Sequence, residues 1–174
     1  HLSIGCELNE KIKDYKARVI VVYHNVTPPE FWQPYNKEFA KLCEYGLKTA
    51  KNLSEKPEMC FADSDYNKQD LIKMGYSCPI KTLPISIAFD DYKKKPSQKI
   101  IDQYKDDGYV NLVFTGRVAP NKKQEDIIAA FYYYKNYINP KSRLIIAGSF
   151  DKKDIYYNKL KKYVEELELE DVCF

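Results

Sequence analysis

Short apolar runs alternate with amphipathic stretches along this chain. The runs at 18–23, 57–62, 80–87, 110–115 and 142–147 are rich in β-branched or aromatic residues and end near turn-forming or polar residues, as buried strands do. Between several of them, apolar residues recur at the spacing of a helix face. This alternation predicts an α/β fold with parallel sheets.

The helical stretches have predictable ends and inner faces. Ser64 or a neighbouring aspartate is expected to cap helix 66–74, and Gly75 to end it in a left-handed conformation. Ser97 precedes a short helix that ends near Tyr104, and Pro84 argues for a strand edge or exit. The predicted inward faces are Phe39, Leu42, Cys43, Leu47 and Ala50 in helix 38–53, and Ile155, Leu160, Val164 and Leu167 in helix 154–167.

Composition narrows the class of protein. No apolar run approaches the roughly 20 residues that span a bilayer, and the first residues lack a basic segment followed by an apolar core. The chain lacks an initiator Met, so we expect a piece of a longer or processed protein. A net charge of +3 is too small to indicate nucleic acid, and the 16 tyrosines are expected to pack against a sheet rather than stack on bases.

The five cysteines are scattered and form no CxxC pair, and only two histidines accompany them. This pattern predicts no metal site and no catalytic cysteine. Free thiols in a reducing cytoplasm follow, with Cys60 and Cys173 as small core residues. Asp63-Ser64-Asp65 has the form of a metal-binding Asp-x-Asp, but capping of a helix explains it.

The turn after strand 110–115 concentrates positive charge. Gly116 ends the strand, Arg117 follows it, and Lys122 and Lys123 stand at the start of the next helix. Ligands of open α/β sheets bind beyond the carboxyl ends of strands, and helix N-termini favour anions. The pattern predicts a clamp for a diphosphate, with a solvated basic loop as the alternative, because 28 of the 174 residues are Lys or Arg.

The string TGRVAPNKKQEDIIAAF, followed by RLIIAGSF and ELELEDVCF, resembles the nucleotide-binding domain of group 1 retaining glycosyltransferases, which have the GT-B fold. The family pattern of Gly-Arg, a turn, Asn or Glu, Lys and usually Gly matches Gly116, Arg117, Asn121, Lys122 and Lys123. The resemblance implies that Arg117 and Lys122 hold the diphosphate of a sugar nucleotide. Lys123 replaces the usual glycine, which affects the loop if that position has positive φ.

Further segments add candidate residues. YHNVTPPEF resembles the loop in which a histidine approaches the donor sugar, so His24 joins Arg117 and Lys122 as a predicted catalytic residue; a lone histidine can equally be structural. Gly148 and Ser149, after strand 142–147, are predicted to approach the donor, although Gly148 can equally serve only the turn.

PISIAFDDY resembles the segment between the two domains of the family. We therefore predict two Rossmann-like domains with parallel sheets, both incomplete. Residues 1–90 form the later part of the acceptor-side domain, 91–108 a linker and lead-in helix, and 109–174 the first part of the nucleotide-sugar-binding domain.

The resemblance implies a parent glycosyltransferase of the hexosyltransferase type, active in polysaccharide biosynthesis. It would transfer a sugar from a nucleotide diphosphate-sugar donor to a saccharide or lipid-linked acceptor, with retention and without a metal or other cofactor; peripheral membrane association of the parent stays open. The family's glycine-rich loop and glutamate pair are absent here, so this piece alone is predicted to be inactive.

Other functions remain open at this point. A nucleotide-sugar or phosphate binding module without transferase activity would share the basic turn. A phosphorylase or an epimerase of the same architecture is a second enzyme interpretation. A structural repeat protein is disfavoured, because the sequence has no internal period.

Overall fold

The computed structural model describes residues 1–174. The chain forms two compact units, His1–Phe89 and Asp90–Phe174, which we call unit one and unit two. Each unit contains a three-stranded parallel sheet flanked by helices, so the predicted α/β fold with two parallel sheets is confirmed.

Unit one has its strands in the order β1-β2-β3. Its core contains Tyr23, Cys60 and Leu71, all fully buried. A parallel bridge between Leu2 and Tyr23 holds the first residues against the outer side of β1. The strands are β1 Ile20–Tyr23, β2 Met59–Ala62 and β3 Ile80–Thr82, and the helices are α1 Glu7–Lys11, α2 Lys37–Asn52 and α3 Asp65–Lys73.

Helix α2 packs partly through the predicted face, where Cys43 and Ala50 are buried, and partly through small residues outside that face. A Cβ at Gly46 would lie 2.7 Å from the backbone nitrogen of Gly5, so the chain passes this helix at a distance that only small side chains permit. Leu42, predicted to face the core, is 44% exposed. The buried positions of α2 are Ala40, Cys43, Gly46, Thr49 and Ala50.

The ends of α3 agree with the sequence, whereas the end of β3 does not. The Ser64 hydroxyl accepts a hydrogen bond from the Asn67 amide at 3.2 Å, and Gly75 has a φ of +95°, so the cap and the left-handed residue are both confirmed. Strand β3 ends at Thr82 instead of Ile87. The amide of Leu83 still donates to the Ala62 carbonyl at 2.8 Å, but Pro84 has no N–H with which to continue.

Unit two repeats the arrangement with strand order β4-β5-β6. Strands β4 and β5 have the bounds that the sequence predicts, and α4 begins after Ser97 as expected. The strands are β4 Val110–Thr115, β5 Ser142–Ala147 and β6 Val172–Cys173, and the helices are α4 Gln98–Tyr104, α5 Gln124–Tyr137 and α6 Ile155–Glu166.

Burial in unit two differs from the prediction at two elements. Strand β4 lies at the edge of its sheet, so Val113 is 59% exposed and the expectation of a buried core strand is wrong. Its apolar residues border a groove of about 380 Å³ beside α5. In α6, Tyr156 is buried and Ile155 is 61% exposed, which reverses the predicted inward residue at the start of this helix. Cys173 is only partly buried.

None of the helices has the length and apolar character required to cross a lipid bilayer.

Candidate functional site

The basic turn of unit two is held by backbone pairing that continues beyond the strands. The Gly116 amide donates to the Ala147 carbonyl at 2.9 Å, and the Val118 amide donates to the Ser149 carbonyl at 3.0 Å. Arg117 lies between these two bonds at the carboxyl edge of the sheet, and it is an exposed residue followed by buried Val118 and Ala119. Its backbone is thereby fixed while its side chain reaches the surface.

Gly148 serves the contact between the two loops of this edge. A Cβ added at Gly148 would lie 2.0 Å from the carbonyl oxygen of Gly116 and 2.6 Å from its carbonyl carbon. A backbone carbonyl cannot move aside as a flexible side chain can, so no larger residue fits. The close approach that Gly148 permits is therefore to Gly116, and this contact accounts for the glycine without a ligand.

A buried polar cluster supports the Arg117 turn from inside. The Gln124 side chain is fully buried, and its Nε2 donates to the Arg117 carbonyl at 3.0 Å. The backbone N–H of Gln124 donates to the Tyr156 hydroxyl at 2.9 Å. That hydroxyl also lies within hydrogen-bond reach of the Gln124 side-chain Oε1 and the Glu125 carboxylate. Burial, followed by the bond to Glu125, raises the pKa of Tyr156, so the phenol stays protonated as a donor.

Sequence reasoning missed Gln124 and Tyr156. The two residues are 32 positions apart, and only the packing of α6 against α5 brings them together. The available signal in the sequence was Gln124 itself, a polar residue at the first position of a helix whose apolar residues begin at Ile127 and Ile128.

Lys122 and Lys123 end a 3₁₀ turn that leads into α5. The turn is Pro120–Lys122, and the Lys122 amide donates to the Ala119 carbonyl at 2.9 Å. Lys123 has φ +49° and ψ +50°, a left-handed conformation in which glycine is favoured. The position at which the family pattern usually has glycine therefore has positive φ in this chain. Both lysines are exposed, whereas Asn121 is partly buried.

The N-terminus of α5 is less open to an anion than the sequence suggests. Its Gln124 amide is engaged by the Tyr156 hydroxyl, and the Asp126 amide donates to the Lys123 carbonyl at 3.0 Å. Glu125 and Asp126 also place two carboxylates in the first turn, where they interact favourably with the helix dipole. The positive charge at this edge of the sheet therefore lies on the side chains of Arg117, Lys122 and Lys123 rather than on bare helix amides.

In unit one, His24 pairs with Asp63. The ring Nδ1 of His24 lies 2.9 Å from Asp63 Oδ2, and the side chains are 30% and 13% exposed. The sheet register explains this contact: Tyr23 pairs with Ala62 in the parallel strands β1 and β2, so the next residues of both strands emerge side by side. The sequence holds this signal, but it becomes usable only once β1 and β2 are known to be neighbours.

The second ring nitrogen of His24 is also occupied. His24 Nε2 lies 2.6 Å from His1 Nδ1, and the two rings stack with their centroids 4.9 Å apart. His24 is therefore ordered from both sides by residues of unit one. Asn25, which follows it, has a positive φ of 69° and turns the chain away from the strand.

Another groove of unit two lies apart from the basic turn. It encloses about 410 Å³ between α5 and α6 and has carboxylates and ammonium groups on its rim, so it presents no single sign of charge. Its lining is Glu125, Asp126, Ala129, Lys159, Leu160, Lys162, Tyr163 and Glu166, which includes none of the predicted site residues. No group of three or more His, Cys, Asp or Glu side chains is arranged to hold a metal ion.

Comparison with solved structures shows the class of fold. No protein-family model and no curated protein matches the chain, but solved structures match it with TM-scores of 0.63–0.64, consistent with a Rossmann-like fold of the GT-B type. At sequence identities of 17–19%, this likeness shows the fold.

The particular structures include HepE from Anabaena in complex with UDP-glucose, with a TM-score of 0.64, 19% identity and coverage of 88% of this chain and 40% of HepE. HepE in complex with UDP and glucose matches with a TM-score of 0.63, 17% identity and coverage of 97% of this chain and 49% of HepE. Sucrose-phosphate synthase from Thermosynechococcus elongatus matches with a TM-score of 0.63, 18% identity and coverage of 88% of this chain and 38% of that protein. The chain thus spans less than half the length of the solved structures it matches.

Proposed function

We propose that this chain is part of a glycosyltransferase that moves a sugar from a nucleotide diphosphate-sugar to an acceptor, with retention at the anomeric carbon. The carrying observation is the turn that joins β4 to α5, which presents Arg117, Lys122 and Lys123 at the carboxyl edge of a parallel sheet. The fold shared with a structure that holds UDP-glucose supports the proposal.

The proposed chemistry follows from the charge that develops on the leaving group. As the bond to the anomeric carbon breaks, negative charge grows on the diphosphate oxygens, and preorganised cations lower the energy of that state. The planar guanidinium of Arg117 binds two oxygens, and the ammonium of Lys122 supplies a point charge. In our proposal these cations take the part that a metal ion plays in other transferases. The Gln124 bond to the Arg117 carbonyl contributes the preorganisation.

We assign His24 to the donor sugar on the basis of the family resemblance. Asp63 contacts the ring Nδ1, which leaves Nε2 as the ring nitrogen that would meet the sugar. Because His1 now occupies Nε2, contact with a sugar hydroxyl requires that hydroxyl to replace His1. Gly116, Asn121, Lys123 and Ser149 remain proposed donor-binding residues, whereas Gly148 is proposed only as the residue that lets the two loops meet.

We also propose a cytoplasmic location and a role in polysaccharide biosynthesis, with a saccharide or lipid-linked acceptor. All five cysteines are free thiols, which suits a reducing compartment. Peripheral membrane association of the parent enzyme is a further proposal of the same resemblance. A nucleotide-sugar or phosphate binding module without transferase activity is the alternative, since the same basic turn would serve it.

Titration of the chain with UDP-, GDP- and ADP-sugars tests donor binding, with EDTA present throughout. We expect heat of binding for one base, and loss of at least about tenfold in affinity for Arg117→Ala, because a hydrogen bond to a charged group contributes about 1.5–3 kcal/mol. The matched control is Lys141→Ala, which removes an exposed cation at the opposite, amino end of β5.

Equal affinities for wild type, Arg117→Ala and Lys141→Ala would remove Arg117 from its role. In the longer parent enzyme, Arg117→Ala is expected to cost about 2–4 kcal/mol of transition-state stabilisation. Binding of donor by the parent without release of nucleoside diphosphate in the presence of acceptors would favour the binding module.

A further inference from the structure

Two cysteine sulfurs meet inside unit one, away from the residues discussed so far. Cys60 lies in β2 and is fully buried, and Cys78 lies just before β3 and is partly exposed. Their Sγ atoms are 3.5 Å apart, which is van der Waals contact for two thiols. The Cys60 amide donates to the Pro79 carbonyl at 2.9 Å, so the backbone holds the two residues side by side.

We propose that Cys60 and Cys78 are a thiol modification site that closes to a disulfide when the chain meets a small-molecule disulfide such as oxidised glutathione. A disulfide has an S–S length of about 2.05 Å, so the sulfurs must approach by about 1.5 Å. Closure of the disulfide requires that rotation of the two side chains supplies this shift. The other three cysteines, Cys6, Cys43 and Cys173, make no such sulfur–sulfur contact.

The difference in burial between the two thiols sets the sequence of the two exchange steps. The Cys78 thiolate, which solvent reaches, attacks one sulfur of the reagent, forms a mixed disulfide and releases one thiol. Cys60 then loses its proton and attacks Cys78 Sγ, which breaks the mixed disulfide and releases the second thiol. The protein loses two electrons and two protons, and the reagent gains them as two thiols. Burial, and then the hydrogen bond with Cys78, raise the pKa of Cys60 to about 12, so Cys60 stays protonated and is not the thiol that attacks the reagent first. Its contact with Cys78 Sγ is what favours its attack in the second, intramolecular step.

The link would close the chain segment that contains α3 and Asp63. Cys60 lies in β2 and Cys78 precedes β3, so the bond would tie β2 to the residues that lead into β3. The His24–Asp63 pair lies at the other end of the sheet, beyond the carboxyl ends of β1 and β2. A cross-link within a folded unit restrains the unfolded chain more than the native one. We therefore expect the oxidised chain to unfold at a higher urea concentration than the reduced chain.

Peptide mapping tests the proposal on the 174-residue chain. Wild type is incubated with oxidised glutathione, quenched in acid, alkylated, digested and analysed by mass spectrometry. The expected product is one cross-linked peptide pair containing Cys60 and Cys78, with the protein lighter by two hydrogens at that pair. Glutathione left on Cys78 beside a reduced Cys60, or Cys78 linked to another cysteine, would overturn the proposal.

Two variants and one change of solvent sharpen the result. Cys60→Ala is expected to stop at the glutathione adduct of Cys78, and Cys43→Ala, which removes another buried thiol, is expected to form the link at the wild-type rate. If Cys60→Ala does not fold, wild type in urea replaces it: there the preference for the Cys60–Cys78 link should be lost. The same preference in urea as in buffer would show that the fold does not direct the pairing.

Discussion

Tyr156→Phe removes a single oxygen atom from the interior of unit two and leaves the ring in place. That oxygen is buried, accepts from the Gln124 amide at 2.9 Å, and lies 3.1 Å from the Gln124 Oε1. It also contacts the carboxylate of Glu125. The variant therefore tests whether the polar cluster beneath the Arg117 turn stabilises the unit.

The loss of unfolding free energy depends on which hydrogen-bond partners of the Tyr156 hydroxyl water can reach in the variant. Gln124 is fully buried, so its amide loses its partner without replacement, at a cost of about 1–3 kcal/mol. Glu125 is only partly buried, so its carboxylate can be hydrated and contributes less. We expect a total loss of about 2–3 kcal/mol, a large fraction of the 5–15 kcal/mol that typical domains have.

Two measurements check this value. Urea unfolding followed by circular dichroism should show a lower midpoint, and exchange of the Gln124 amide with solvent deuterium should accelerate by about 30-fold or more, since about 1.4 kcal/mol corresponds to tenfold. Tyr133→Phe is the matched control, because Tyr133 is 60% exposed and its ring contacts only the neighbouring ring of Tyr137 on the same helix. We expect that control to stay within about 0.5 kcal/mol of wild type.

The reasoning is refuted if Tyr156→Phe and Tyr133→Phe have the same unfolding midpoint and the Gln124 amide remains as protected as in wild type. Such a result would mean that the Gln124 amide is satisfied without the phenol, and that the Arg117 turn does not depend on this cluster.

Three further predictions concern conformation and pH. Lys123→Gly should stabilise the chain by about 0.5–1 kcal/mol, because Lys123 has φ +49°. Lys123→Ala also removes the charge but should not stabilise the chain. Thermal unfolding of both variants therefore separates the effect of the backbone conformation from the effect of the lost charge. Gly148→Ala should cost more than about 3 kcal/mol in urea unfolding, because its Cβ would lie 2.0 Å from the Gly116 oxygen. The control Gly108→Ala, in open space at φ +78°, should cost about 1 kcal/mol. Similar losses in the two variants would contradict the steric argument. Burial raises the pKa of Tyr76 and of Tyr156, so the folded chain keeps protons that the unfolded chain releases. The associated stability is complete below about pH 10 and is lost as the pH rises further. The loss of stability measured by urea unfolding should be smaller in Tyr76→Phe than in wild type.

The fold was predictable to the extent that each element carries its own local chemistry. The strands at Val110–Thr115 and Ser142–Ala147 have the predicted bounds, because their apolar, β-favouring runs end at a glycine or a turn. The side of β4 that is covered was not predictable, because exposure depends on where the strand lies in its sheet.

The candidate site divides in the same way. The basic turn was visible in the sequence, and its proposed role in binding a diphosphate stays a prediction. The partners of its residues were not visible, since Asp63 lies 39 positions from His24 and Tyr156 lies 32 positions from Gln124.

The sequence by itself determined the order of strands and helices, the Ser64 cap, the left-handed Gly75 and the cluster of cations after β4, because each depends on neighbours within a few residues. Tertiary structure alone decided that Gly148 meets Gly116, that Asp63 meets His24 and that Cys60 meets Cys78. These contacts join residues that lie in adjacent parallel strands or next to their ends, so they exist only once strand order and register are set.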